Sequence, residues 1–103
     1  MADQFTVHEI QEARIWAKDG ERLGTVGEVH LDRGTGDPAW ITVDLGLFQT
    51  RARFVPLAGA RRDDSDIFVN YSAKDVKDAP DVDPESPLTP AQEAVLQEYY
   101  QSR

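Results

Sequence analysis

The chain has 103 residues, no cysteine, and a formal net charge of −8 from 19 acids against 11 lysines and arginines. That length fits one domain with one modest core, and the lack of cysteine excludes disulfides, thiolate catalysis and cysteine-based metal sites. The acid excess is shared evenly between residues 1–71 and 72–103 and leaves no basic patch, so direct contact with nucleic acid or an anionic membrane surface is not expected.

The opening stretch MADQFTVHEIQEARI has neither the basic start nor the apolar centre of a signal peptide. No run approaches the roughly 18 apolar residues that would cross a bilayer, so a soluble cytoplasmic protein is expected. Residues 14–18 (RIWAK) form a short strand candidate ending at Asp19-Gly20, a pair suited to a tight turn. The next run, 21–32, places Leu23, Thr25, Gly27, Val29 and Leu31 on one face. Val26 breaks that alternation between Gly24 and Gly27, which predicts a bulge or bend.

Residues 32–38 (DRGTGDP) are dense in turn formers and predict a hairpin loop. In AWITVDL (39–45), Ile41, Val43 and Leu45 alternate with Trp40, Thr42 and Asp44. RARFVPL (51–57) contains Pro56, which predicts an edge position or a strand end. DIFVNY (66–71) is the last strand candidate, with Ile67, Val69 and Tyr71 on one face. Short strands joined by tight turns, with no helix between them, predict an all-β small antiparallel barrel of five to six strands.

After Tyr71 the texture changes. SAKDVKDAP suits one helical turn with Ser72 as N-cap, and DAPDVDPESP is an acidic, proline-containing connector. The final segment has a clear helix start: Thr89 at the N-cap, Pro90 at the first position and Gln92 completing a capping box. Leu88, Ala91, Val95 and Tyr99 form the expected apolar stripe, widened by Leu96 and Tyr100. Such a short helix is marginal alone and needs a cover, either the barrel or another chain. The expected division is a β-domain over 5–76 and a connector with an amphipathic helix over 77–103.

These residues, in order, carry a family likeness. ARIWAKDGERLGTVGEVHLDRGTGDPAWITV, then RFVPLAGA, then DIFVNYSAKDVKDAP resemble the PRC-barrel domain, with G-x-V-x-x-V at Gly24, Val26 and Val29 and V-P-L at 55–57. The tail is similar to the segment that follows the barrel in the cytoplasmic part of photosynthetic reaction-centre H subunits and in stand-alone bacterial relatives. The resemblance implies a small β-barrel that serves as an interaction and assembly module, with no general catalytic centre. Neither the membrane-spanning helix of the H subunit nor the second domain of the ribosome maturation factor that shares the barrel is matched in these 103 residues, so neither of those roles is expected from the barrel alone.

Individual side chains add little chemistry. His8 and His30 have no ligand spacing, and His30 is expected on the outward face beside Glu28. Asp75, Asp78, Asp81, Asp83 and Glu85 fail the EF-hand pattern, because its glycine and bidentate glutamate positions fall on Asp83 and Thr89. Ser65, Ser72 and Ser86 have no histidine–acid partners in pattern. Arg51, Arg53, Arg61 and Arg62 could meet the acidic tail or a partner's acids. No cofactor, metal or catalytic residue is expected.

Trp40 and Phe68 oppose the inward apolar sets of their strands, so they either add to the core or need a second cover from the tail helix or an identical subunit. The candidate interface is therefore Trp40, Phe68, Leu96, Tyr99 and Tyr100, with Tyr99 extending the buried stripe and Tyr100 at its margin. The expected role is a non-catalytic protein–protein interaction module, acting as a homodimer with a further protein partner. An ion- or ligand-responsive stress-related protein and an accessory factor for an electron-transfer complex are the alternatives.

Overall fold

A computed structural model describes residues 6–32, 34–44, 52–80 and 88–103. Six strands form one sheet in the order β4-β3-β2-β1-β6-β5, curled into a half-barrel. They are β1 (Arg14–Trp16), β2 (Arg22–Leu31), β3 (Pro38–Asp44), β4 (Arg53–Pro56), β5 (Arg61–Asp63) and β6 (Asp66–Phe68). Three helices accompany them: α1 (Val7–Gln11), α2 (Ala73–Lys77) and α3 (Pro90–Gln101).

Four strand pairs are antiparallel, but β1 and β6 run parallel, with Ile15 beside Ile67. This corrects the expectation of a wholly antiparallel barrel. A helical crossover is required only where consecutive strands pair in parallel. Here the chain passes through four other strands before β6 reaches the free edge of β1.

The expected irregularity in β2 is present as a register shift between Val26 and Val29 against β3. The Thr42 hydroxyl accepts from the Glu28 amide there at 2.8 Å, so a strand hydroxyl satisfies a donor beside the slip. A Cβ on Gly24, where φ is +150°, would collide with the Asp44 carbonyl oxygen, so the backbones can approach only at glycine. A second register shift follows between His30 and Leu31. Val29 still packs on the main core, whereas Leu31, expected on the face of Leu23, is 51% exposed.

Two elements escape the apolar pattern of the sequence. The first is α1, held by a capping box in which Thr6 and Glu9 exchange side chain-to-backbone bonds at 3.1 Å. The second is β5, whose three residues are polar and exposed. It is fixed by the two-residue connection Asp64-Ser65, with Asp64 at φ +58°.

The concave face holds the main core. Ile15, Ile41, Val43, Val55, Ile67 and Val69 meet Ile10 of α1 and Val76 of α2, all essentially inaccessible to water. The convex face carries a second cluster, in which Trp40 and Phe54 pack under Leu88, Leu96 and Tyr100. Tyr71 touches both clusters.

β4 lies at the edge of the sheet, as Pro56 predicts. The Leu57 amide donates to Ala39 across the pair at 2.9 Å. Antiparallel alternation then turns the backbone groups of Pro56 and Phe54 toward the free edge. Proline has no amide hydrogen to leave unpaired there, and the Phe54 carbonyl accepts the Tyr100 hydroxyl at 2.6 Å. The tail helix thus satisfies the edge as well as covering the face.

Candidate functional site

The tail helix starts as its sequence says, with Thr89 and Gln92 exchanging capping-box bonds and Pro90 at the N-terminal turn. Its buried face differs from the expected stripe. Leu96 (0% exposed) and Tyr100 (3%) point into the sheet, whereas Val95 is 53% exposed and Ala91 faces solvent. The expected stripe follows the most apolar arc of the sequence. The face that packs runs along Leu88, Gln92, Leu96 and Tyr100, four residues apart, because this ridge meets Trp40 and Phe54.

The two adjacent tyrosines therefore exchange the roles expected of them. Tyr100 is the buried anchor, set edge-on to Tyr71 at 4.6 Å between centroids and tilted over Trp40 at 6.1 Å. Burial pushes its hydroxyl pKa well above the usual phenol range. Tyr99 is half-buried and donates to the Asp75 carbonyl of α2 at 2.5 Å. That carbonyl is one of those a helix end leaves without an intrahelical partner. Arg53 Nε reaches the Lys77 carbonyl at 3.4 Å, so β4 and the tail meet the same helix end.

Beside these contacts opens a cleft of about 800 Å³. One wall is the beginning of β3 and the end of β4, with Pro38, Ala39, Pro56 and Leu57; the other is α3. Glu93, Gln97 and Gln101, four residues apart, present a polar ridge to it. Asp32 and Asp37 stand at the β2–β3 loop. The Asp32 carboxylate accepts from the amides of Gly34 (2.7 Å) and Thr35 (3.1 Å), which fixes the hairpin loop. Trp40 Nε1 donates to Glu93 Oε2 at 3.1 Å, tying the tryptophan to the helix across the cleft.

Of the expected interface residues, Trp40 and Tyr100 line this cleft, and both are largely buried within the chain. Leu96 lies wholly beneath the helix, and Tyr99 sits at its side. Phe68 is elsewhere. It stacks on Trp16 at 6.1 Å on the convex face of β1 and β6, with the Arg61 guanidinium 5.2 Å from its centroid. Asp66 binds both Arg14 Nε (2.9 Å) and Trp16 Nε1 (3.1 Å), so the rim of that pair is ordered by one carboxylate.

His30 lies on the convex face, but its ring packs against Phe54 at 5.0 Å and is half-buried, which corrects its expected surface placement. Desolvation lowers its pKa, with Glu28 opposing the shift. Arg62 pairs with Glu9 of α1 at 2.8 Å, so this member of the arginine cluster meets the N-terminal helix. Leu45, Arg51, Asp81, Asp83, Glu85 and Ser86 lie outside the described residues.

Asp37, Gln97 and Gln101 line the cleft with no site role expected of them from the sequence. The spacing of four along Glu93, Gln97 and Gln101 was visible as the polar side of the helix. That this side would line a cleft depends on how the helix docks.

The PRC-barrel domain family model matches residues 2–76, and the chain belongs to that family. The half-barrel sheet and the run of motifs agree with it. Comparison with curated proteins gives no match. Among the described residues, no helix is long and apolar enough to cross a membrane.

Proposed function

We propose that this chain is a non-catalytic protein-interaction module of the cytoplasm that receives its partner in the cleft between the sheet and the tail helix. The observation that carries this reading is the composition of the cleft walls. An apolar floor of Pro38, Ala39, Pro56 and Leu57 faces a ridge of side-chain amides, Gln97 and Gln101. An apolar floor gives contact area, and amides both donate and accept, which suits an extended peptide backbone. Three further polar groups of the lining have structural tasks: Asp32 in its loop, Glu93 on Trp40, and Tyr100 on Phe54. The volume is of the size that takes a few residues of a partner.

A photo-crosslinking amino acid at Ala58, exposed at the cleft, tests this against the same group at Val95 on the outer side of the helix. A discrete adduct in the source cell is expected from position 58 and none from 95, and untagged protein should compete it away. Its mass tells a second copy of the chain from another protein. Equal labelling at both positions, or none at 58, contradicts the proposal.

A further inference from the structure

The charge of the cleft narrows its occupant. The described lining residues include three carboxylates, Asp32, Asp37 and Glu93, and no lysine, arginine or histidine. The carboxylates lie on two sides of the opening, two at the β2–β3 loop and one on α3. The chain as a whole carries −8, so its long-range field attracts the same sign of partner as the cleft does.

Resting on the reading above, we infer that the cleft takes an extended peptide segment of another protein bearing lysine or arginine. The segment's backbone lies along Gln97 and Gln101, and its cationic side chain reaches the Asp37 carboxylate at the β2–β3 loop. The apolar floor receives the methylene stem of that side chain, as long basic side chains lay their stems on apolar surface and keep the charge beside acids or water. An acidic segment would bring like charges together with nothing of opposite sign in the described lining to offset them. The selectivity is thus as much repulsive as attractive.

The test uses the full chain labelled with nitrogen-15 and three peptides of equal length, one with two lysines, one with two glutamines in their place and one with two glutamates. The lysine peptide is expected to shift the amides of Ala39 and Leu57, the side-chain amides of Gln97 and Gln101, and the Trp40 indole N–H. The glutamate peptide is expected to leave them in place. Raising salt weakens the lysine complex, because the attraction is between solvent-accessible charges. Asp37→Asn, a loop substitution away from both cores, is expected to reduce affinity by about threefold, the size of one partly exposed charge pair.

If the glutamine and glutamate peptides shift the same groups as strongly, the charge inference is overturned while the cleft remains a peptide site. If the lysine peptide shifts only residues outside the cleft, or none, the inference and the reading beneath it both fail. An Asp37→Asn chain that binds as tightly as the parent overturns the placement of the cation.

Discussion

Two pairs of aromatic rings sit on the convex face of the same sheet, and they are treated in opposite ways. Trp40 and Phe54, on β3 and β4, lie under the tail helix, and Phe54 keeps 1% of its surface exposed. Trp16 and Phe68, on β1 and β6, belong to neither core cluster and are only half-buried, with Arg61 lying over Phe68. Both pairs arise from the same local rule, since each alternates with inward residues such as Ile41 or Ile67. The difference comes from the tail. A half-barrel buries one face of its strands unaided and needs a further element for the other, and among the described residues α3 covers the β3–β4 end.

The largest consequence falls on the covered pair. Phe54→Ala should cost about 3–5 kcal/mol in urea unfolding, as expected for a large side chain removed from a packed site. A loss below about 1 kcal/mol would mean that the helix does not seal that face. Next is the tyrosine that joins helix to edge. Tyr100→Phe should cost about 1–3 kcal/mol, because it leaves the edge carbonyl of Phe54 without its donor.

The same tyrosine gives a pH signature. Its folded pKa lies above the ordinary phenol value of about 10, so above that pH the unfolded state loses a proton that the folded state keeps. Stability therefore falls as pH rises beyond about 10, and Tyr100→Phe should flatten part of that fall. An unchanged alkaline slope in the variant would show that Tyr100 is not the buried group. The smallest effect belongs to the open pair: Phe68→Ala should cost about 1 kcal/mol or less. Equal costs at Phe54 and Phe68 would erase the contrast between the two regions.

Much of this was legible in the chain, and the parts that were not have physical reasons. Alternation placed Ile41 and Val43 inward, the glycines around Val26 marked the slip in β2, and Pro56 marked the edge strand. The caps Thr89 and Ser72 set their helix starts. β5 could not be read because Arg61, Arg62 and Asp63 face water on both sides and carry no apolar period. The short α1 was written in Thr6 and Glu9 as a capping box, but the apolar pattern gave it no support. The parallel pairing of β1 and β6 joins residues about fifty positions apart, which no local pattern specifies.

The tail shows the same limit within one helix. Its existence and its first residue follow from local hydrogen bonding, but its rotation is set by Trp40 and Phe54, and that reversed the roles of Tyr99 and Tyr100. The cleft inherits this dependence. Gln97 and Gln101 line it only because Leu96 and Tyr100 turn toward the sheet.

The central claim is that the tail helix covers the β3–β4 end of the sheet of its own chain. An equal mixture of isotope-labelled and unlabelled protein tests it most directly, through nuclear Overhauser contacts between the Trp40 indole and the Tyr100 ring. These rings are 6.1 Å apart between centroids in the fold described. The contacts should appear within labelled chains and be absent from the spectrum filtered for pairs between chains. Strong contacts in the filtered spectrum would mean that the helix is exchanged with a second copy, and the account of the covered face would be wrong.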